Sequence, residues 1–407
     1  MKRSLILAVI VAIVVILGQE VLAEDHGFLF GTVTTDEGDE YTGRIRWDKN
    51  EGFWDDVIDA TKYDEERADS GARQKRRIRI LGFSINTNDD FSWNSSSQLR
   101  FGHVTAIEPR SRGRATLTLK TGEKIRFEDA SSDLGSGIRG IQVDVEDEGL
   151  IDLDWNDLER VQFAPEPDSY KPTDIDVQRL YGRVTTDAGT DFTGYICWDT
   201  DEIYTTDILD GEEDGRDREI RLGTIEVIEK TSSEGCRLQL KSGRKVELTG
   251  TNDVDSGNRG ILVLLPGSGQ VKVTWDEFES LTFLSPPSGS QPLYSQFDGG
   301  HELHGTVTTE DGDSYTGRII WDDDERYSWE FLNGEEDDLE YDVEFAQIAT
   351  IERGSARSAI VTLRNGTELR LRGSNDVNDE NKGIFIESED GELVELDWDE
   401  FEKVTFE

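Results

Sequence analysis

Three short acidic segments carry residues of the kind that bind a cation. They read DKNEGF at 48–53, DTDEIY at 199–204 and DDDERY at 322–327, and they share the pattern D-x-[DN]-E-x-[FY]. Oxygen side chains at alternate positions suit Ca²⁺, although the glycine and the distant glutamate of the best-known calcium loop are absent. The sequence therefore predicts either a calcium site or an ordinary acidic turn. The candidate calcium ligands are Asp48, Asn50, Asp199, Asp201, Asp322 and Asp324.

A longer polar loop is also written three times, as SSDLGSGIRGI at 131–141, TNDVDSGNRGI at 251–261 and SNDVNDENKGI at 374–384. Under a structural interpretation, its Asp accepts backbone N–H groups in a turn and its Gly adopts a positive φ. Under a functional interpretation, its polar side chains bind a charged or hydroxyl-rich ligand such as a glycan. We favour the structural interpretation, because backbone needs explain the recurring Gly and aliphatic positions and a ligand does not. The candidate ligand-binding residues are Asp133, Arg139, Asp253, Asn258, Arg259, Asp376, Asn381 and Lys382.

Both motifs belong to a unit that occurs three times in the chain. GTVTTDEGDEYTGRIRWD at 31–48 has close counterparts at 182–199 and 305–322, and LDWNDLERVQF at 153–163 has counterparts at 273–283 and 396–406. Two proline-rich segments between the copies are typical of extended linkers. We therefore predict copy 1 at 24–163 with an insertion at about 55–98, copy 2 at 179–284 and copy 3 at 302–407, joined by linkers at 164–178 and 285–301.

The hydrophobic pattern within a copy has the period of a β-strand. In copy 3, Val307, Tyr315 and Ile319 alternate with polar residues around an Asp-Gly turn signal, and a second hairpin turns at Asn365-Gly366. Such alternation, bounded by Asn-Gly and Asp-Gly pairs, indicates hairpins. No segment shows a sustained helical period. The sequence therefore predicts an all-β fold of three tandem units of about 105–140 residues each.

Each copy looks internally doubled. The run VEFAQIATI at 343–351 places its apolar residues as LDWDEFEKVTF at 396–406 does, with a strand, a tight turn and a final short strand. The opening hairpin pattern T-x-x-G-x-x-Y-x-G-x-I-x-W-D resembles the first motif of Sm-like barrels. The resemblance, at the level of the fold, is to SH3-like and Sm-like small β-barrels and implies two such barrels per copy. It does not carry over an RNA-binding role, because fold alone does not define function.

Tryptophans and cysteines give further expectations. Six tryptophans occupy equivalent motif positions and are predicted to fill the barrels, namely Trp47, Trp155, Trp198, Trp275, Trp321 and Trp398. Trp54 and Trp329 lie in loops and are better candidates for residues that contact a partner than these six. Cys197 and Cys236 both fall in copy 2, and the sequence leaves open whether they form a disulfide.

The N-terminal sequence restricts the possible compartment of the protein, and its net charge restricts the possible partners. Lys2 and Arg3 precede an apolar run, which predicts a cleaved signal peptide at 1–23, an extracytoplasmic protein (periplasmic, at the cell surface or secreted) and no membrane span after cleavage. With 43 basic and 88 acidic residues the chain has a formal net charge of −45. Such a charge excludes nucleic acid as a partner, because binding it requires a basic face. It leaves open salt adaptation or cation binding.

Catalysis finds little support in the sequence. The four histidines do not recur between copies, and HELH at 301–304 lacks the spacing of a zinc-protease helix. We therefore predict no enzyme and no cofactor apart from Ca²⁺ as a candidate. The favoured function is an exported structural or interaction module with protein or glycan partners of the envelope or cell surface. The alternatives are a repeated cation- or glycan-binding module and a hydrolase that uses paired carboxylates.

Overall fold

The computed structural model confirms the all-β class. The structure describes residues 26–63, 76–80, 83–87, 94–110, 113–128, 133–388 and 390–407. The predicted signal peptide and parts of the predicted insertion lie outside these residues. Every helix in the described part is a three-residue 3-10 turn, and none of its helices is long and apolar enough to cross a membrane.

Copy 1 forms one sheet with strand order β11-β10-β2-β1-β12-β7-β8-β9-β3-β6. A further hairpin, β4–β5, belongs to the predicted insertion. The strands are β1 (Phe30–Thr35), β2 (Glu40–Trp47), β3 (Val57–Tyr63), β4 (Arg76–Ile80), β5 (Phe83–Thr87), β6 (Asn94–Arg100), β7 (Val104–Arg110), β8 (Arg114–Leu119), β9 (Lys124–Glu128), β10 (Ile141–Val145), β11 (Gly149–Leu153) and β12 (Leu158–Phe163).

Copies 2 and 3 contain counterparts of these strands. Copy 2 comprises β13 (Tyr181–Thr186), β14 (Asp191–Cys197), β15 (Ile208–Glu213), β16 (Arg216–Arg221), β17 (Ile225–Ser232), β18 (Gly235–Leu240), β19 (Lys245–Thr249), β20 (Ile261–Leu265), β21 (Gly269–Val273) and β22 (Phe278–Phe283). Copy 3 comprises β23 (His304–Thr309), β24 (Ser314–Ile320), β25 (Phe331–Glu336), β26 (Leu339–Glu344), β27 (Ile348–Ser355), β28 (Ser358–Leu363), β29 (Glu368–Leu371), β30 (Ile384–Glu387), β31 (Leu393–Leu396) and β32 (Phe401–Phe406).

The strands of a copy fall into two groups of five. In copy 2 an outer group, with order β22-β13-β14-β20-β21, encloses in sequence an inner group with order β17-β18-β19-β15-β16. The two groups meet where their closing strands, β17 and β22, pair. The tight turn predicted before a closing strand is a 3-10 turn before β17, at Leu222–Thr224. That each group is an SH3-like barrel stays a prediction.

The copies are joined by strand pairing. β21 of copy 2 pairs with β26 of copy 3, so the two copies share a twelve-stranded sheet and one hydrophobic core. β31, the counterpart of β21 in copy 3, pairs in parallel with β4 of the copy 1 insertion. The edge strand β21 of copy 2 and its counterpart β31 of copy 3 are therefore each covered by a further strand.

The segments between the copies also pack against copy 1. Tyr294 is 8% exposed and its hydroxyl donates to the carbonyl of Val104 at 3.0 Å. Glu166 forms an ion pair with Arg44 at 2.8 Å. Residues of both predicted linkers therefore make contacts with copy 1.

Burial confirms one aromatic prediction and corrects another. The six motif tryptophans are each at most 5% exposed, as predicted. The expectation that Trp54 and Trp329 contact partners is wrong, because both are 0% exposed. Trp54 packs on Tyr294 with ring centroids 4.3 Å apart, and Trp329 stacks on Tyr327 at 5.5 Å. Their loops lie where other segments of the chain cover them. Cys197 and Cys236 are both free and buried.

Candidate functional site

In each copy the acidic turn and the repeated polar loop, which the sequence predicted as separate sites, lie against each other. In copy 2, Asp199 of the acidic turn accepts the backbone N–H of Arg259, from the repeated loop, at 2.5 Å. In copy 3, Asp322 accepts the backbone N–H of Lys382 at 2.5 Å. Copy 1 has the same bond between Asp48 and Arg139. In each copy three carboxyl-bearing residues interact with one another, and we call them the carboxylate cluster. Its members are Asp48, Glu51 and Asp133 in copy 1, Asp199, Glu202 and Asp253 in copy 2, and Asp322, Glu325 and Asp376 in copy 3.

Local backbone geometry explains the acidic turn. The first Asp of the turn follows a strand and has a positive φ, 52° at Asp199 and 48° at Asp322, a conformation that Asp tolerates better than most residues. The chain then returns, so that Glu325 N–H donates to the carbonyl of Trp321 at 3.0 Å, and Trp321 N–H donates to the carbonyl of Glu325 at 2.8 Å. The Glu side chain is thereby fixed beside a buried tryptophan.

The Asp of the repeated loop ties the outer group to the inner group. Asp253 Oδ2 accepts the N–H of Asp210 in β15, and Asp376 Oδ2 accepts the N–H of Asn333 in β25, each at 2.7 Å. The backbone carbonyl of the same Asp accepts the indole N–H of the motif tryptophan, at 2.9 Å between Trp321 and Asp376. Asp133 of copy 1 makes both kinds of bond, to the N–H of β3 and from the motif indole.

The Asn and Gly of the loop serve the backbone as well. Asn258 Oδ1 accepts the N–H of Gly260 at 2.9 Å, and Asn381 Oδ1 accepts that of Gly383 at 3.0 Å. The glycines have φ of 121° and 120°, values that L side chains rarely adopt. The positive φ of the glycines agrees with the structural interpretation, but the backbone bond within the loop comes from its Asn, whereas its Asp accepts from a strand 43 residues away. Binding of a glycan there stays a prediction.

The basic residue of the loop differs among the copies. Arg259 donates to Asp199 at 2.9 Å and to Asp201 at 3.1 Å. Arg139 donates to Asn50 at 2.8 Å and also reaches Asp201 of copy 2. Predicted ligands Asn50 and Asp201 are therefore engaged by arginine. In copy 3 the Lys382 amine lies 3.4 Å from Asp322 Oδ2 and also interacts electrostatically with Asp324.

Sequence reasoning did not select the glutamate of the acidic turn. Glu51, Glu202 and Glu325 each have a buried Oε2 without a hydrogen-bond partner. Burial, reinforced by the neighbouring carboxylates, raises the pKa of Glu202 to about 9 and raises the pKa of Glu51 and of Glu325 well above the usual range. The sequence did contain a signal, because Glu is identical in all three copies and is one of the four defined positions of the acidic-turn pattern.

The aspartates of the clusters respond to the same environment. Burial is the largest cause and raises the pKa of Asp376 to about 7 and those of Asp322 and Asp253 to about 6. In copy 3 the ligand oxygens of Asp322, Glu325 and Asp376 lie within 4.8 Å of one another. Carboxyl groups this close and this buried can share protons or hold a cation.

The copy 3 cluster borders a polar cavity between copies 1 and 3. The cavity has a volume of about 190 Å³, and its lining residues are Asp59, Ser97, Gln98, Glu325, Glu330, Phe331 and Asn333. Glu325 is a member of both the cluster and the lining. Solvent in the cavity therefore lies next to the cluster.

A second acidic position holds the copies together. Asp56, Asp207 and Glu330 are counterparts that each accept two backbone N–H groups of the aromatic turn before them. Each also binds a cation from another copy: Arg179 for Asp56 at 3.0 Å, Arg46 for Asp207 at 2.9 Å, and Lys62 for Glu330. We call these three the junction acids.

Comparisons with known proteins add no assignment. No family model matches the chain, and no curated protein matches it. Among solved structures, selenomethionine-substituted virginiamycin B lyase from Staphylococcus aureus is similar at 12% identity with a TM-score of 0.10, over 73% of this chain and 85% of that chain. A TM-score this low carries no argument about fold or activity.

Proposed function

We propose that the protein is an exported, non-enzymatic interaction module, a rigid acidic body that binds an extended segment of a partner protein along one open sheet edge. The observation that supports this proposal most directly is the edge strand β11. Its counterparts β21 and β31 are covered by β26 and β4, whereas β11 is the last strand of its sheet in the part of the chain that the structure describes. An uncovered strand edge offers unpaired backbone groups to another strand.

The side chains of β11 also differ from those of the covered strand. Leu150 is 61% exposed, and its counterpart Gln270, beneath β26, is 7% exposed. Asp152 stands where copy 2 has Lys272, and Lys272 pairs with Glu340 of β26 at 3.3 Å. By charge complementarity, the partner strand presents a Lys or Arg opposite Asp152 and an apolar side chain beside Leu150.

Rigidity favours a binding role of this kind. Strand addition is most favourable when the edge is already held in its bound conformation, because less entropy is then lost on binding. β11 is held by its full antiparallel register with β10 from Ile141↔Leu153 to Val145↔Gly149. The ion pairs of the junction acids hold the copies around it.

A photo-crosslinking amino acid at position 150 tests the docking edge in cells that export the chain. We expect a discrete adduct from position 150 and none from position 270, which β26 already covers. Mass spectrometry of the adduct should identify a segment with a basic residue opposite Asp152, and Asp152→Lys should abolish the adduct. The same adduct from both positions, or none from position 150, would contradict the proposal.

Export is tested separately. The intact mass of the protein recovered outside the cytoplasm should correspond to a chain that begins at Glu24. A recovered chain that still carries Met1 would contradict the signal-peptide prediction and leave the docking edge to be judged by its own experiment.

A further inference from the structure

The carboxylate cluster of copy 3 brings together more negative charge than the side chains around it offset. Asp322 is 0% exposed and Asp376 is 5% exposed, and their oxygens and that of Glu325 lie within 4.8 Å of one another. The ammonium groups beside them are those of Lys382, 3.4 Å from Asp322, and Lys62, which is paired with Glu330.

Two buried oxygen atoms at this place have no hydrogen-bond partner. They are Glu325 Oε2 and Asp324 Oδ1. A buried carboxylate oxygen without a partner is costly, so that a native structure needs a reason to keep it. The equivalent oxygen of Glu51, a residue only 6% exposed, is also without a partner. Glu202 of copy 2 shares this unpartnered oxygen, so it does not by itself distinguish copy 3. Among the described residues, it is the three acids of copy 3 that bring their carboxylate oxygens within 4.8 Å of one another.

Copy 3 differs from the others in what faces the cluster. In copy 2 the guanidinium of Arg259 spans Asp199 and Asp201, and in copy 1 Arg139 spans the corresponding acidic turn and a neighbour from copy 2. The ammonium of Lys382 interacts with both Asp322 and Asp324, but as a compact point charge it lacks the planar fork with which arginine bonds two groups. In addition, Glu325 borders the 190 Å³ cavity between copies 1 and 3, which has room for water.

We propose that copy 3 binds one hard divalent cation of the size of Ca²⁺ through carboxylate oxygens of Asp322, Glu325 and Asp376. Water from the cavity completes the coordination shell, as hard cations require about six to eight oxygens. Copies 1 and 2 bind none, because Arg139 and Arg259 already neutralise their acidic turns. The stoichiometry is therefore one cation per chain rather than one per repeat.

Terbium luminescence provides a direct test on the full chain. Tb³⁺ replaces Ca²⁺ at oxygen sites, and Trp321, whose indole bonds the carbonyl of Asp376 at 2.9 Å, lies close enough to sensitise it. Physiological salt screens loose binding to the acidic surface. We expect one saturable site that Ca²⁺ competes for. Glu325→Gln should weaken it by roughly tenfold or more, since one charged ligand is lost.

Glu202→Gln in copy 2 is the matched control and should leave Tb³⁺ and Ca²⁺ binding unchanged. Asp376→Asn is a second test variant, because its amide oxygen can still accept the Asn333 N–H that Asp376 binds at 2.7 Å, so the fold should survive. Binding at two or three equal sites, equal losses from Glu202→Gln and Glu325→Gln, or no saturable binding at millimolar Ca²⁺ would each overturn the proposal.

Discussion

Copies 2 and 3 build the same acidic site and neutralise it differently. Both place a fully buried Asp beneath the backbone N–H of the loop's basic residue, at 2.5 Å in each case. In copy 2 that residue is Arg259, whose guanidinium bonds Asp199 at 2.9 Å, whereas in copy 3 it is Lys382, whose amine lies 3.4 Å from Asp322 and also interacts with Asp324. A planar guanidinium with five donors bonds two carboxylates in a fixed geometry, whereas the lysine ammonium offers three rotatable donors around a compact charge. A change from Arg to Lys at this one position of the repeat can therefore leave the carboxylates of the acidic turn with less compensation of their negative charge.

The same contrast recurs where copy 1 attaches to its neighbours. The junction acid of copy 2, Asp207, is met by Arg46 of copy 1 through two bonds at 2.7 and 2.9 Å. The junction acid of copy 3, Glu330, is met by Lys62 of copy 1. In the reverse direction, Arg179 of copy 2 bonds Asp55 and Asp56 of copy 1. At the junction acids, therefore, arginine attaches copy 2 and lysine attaches copy 3, although elsewhere Arg100 of copy 1 pairs with Glu344 of copy 3 at 3.2 Å.

The largest expected effect follows from Arg179→Ala. Arg179 is 6% exposed, its guanidinium lies 4.2 Å from the Phe53 ring centroid, and its loss leaves two buried aspartates without their cation. Removing one partner of a buried ion pair costs about 4 kcal/mol. Lys62→Ala, at the copy 3 junction, should cost about half as much, because its side chain is more exposed at 16%. Urea unfolding of both variants measures the difference, and equal losses would contradict it.

Arg259→Ala should have the next largest effect. It leaves Asp199, which is 0% exposed, with fewer charge-assisted bonds, and the arginine itself is half exposed, so the expected loss of unfolding free energy is about 2 kcal/mol. Lys382→Ala should cost less than about 1 kcal/mol, since the side chain is half exposed and its ion pair with Asp322 is long at 3.4 Å. The midpoints of denaturant unfolding, measured without added divalent cations, show whether Arg259→Ala destabilises the protein more than Lys382→Ala does.

Exchanging the two basic residues should move the cation site. Arg259→Lys opens the copy 2 cluster, and Lys382→Arg places a guanidinium over Asp322 and Asp324 of copy 3. We expect the double variant to bind one Ca²⁺ per chain, now sensitive to Glu202→Gln and insensitive to Glu325→Gln. Each single exchange should change stability by only about 1 kcal/mol. A double variant that keeps the wild-type response to Glu325→Gln would show that the basic residue does not determine the site.

Local patterns in the sequence were enough to predict the strands and the six buried tryptophans, because period-two alternation and Asp-Gly or Asn-Gly turns act within a few residues. They also predicted both halves of the carboxylate cluster, but as separate sites. Asp199 and Arg259 are 60 residues apart, and they meet because β14 pairs with β20 in the register Cys197↔Leu262. That register depends on a long-range pairing that no local spacing encodes.

The misjudged loop aromatics have a similar cause. Trp54 and Trp329 follow turns that look exposed within their own copy. Burial of Trp54 depends on the segment around Tyr294, which follows copy 2 and folds back onto copy 1. Contacts between copies involve residues hundreds of positions apart, so the pattern of one copy cannot reveal which of its loops is covered.

We expect the smallest loss of stability at the loop asparagine, which makes the same hydrogen bond in copies 2 and 3. Asn258→Ala and Asn381→Ala each remove an acceptor from a glycine N–H, at 2.9 and 3.0 Å, and each also removes a buried Nδ2 that has no partner. Losing the bond destabilises the fold, and losing the unpaired amide stabilises it, so the net cost should be below about 1 kcal/mol and equal in the two copies. Urea unfolding of the two variants in parallel tests this equality. A clearly larger loss for Asn381→Ala would mean that the two copies differ in the loop itself and not only in its basic residue. The explanation that copy 3 binds the cation because it has Lys382 where copy 2 has Arg259 would then lose its support.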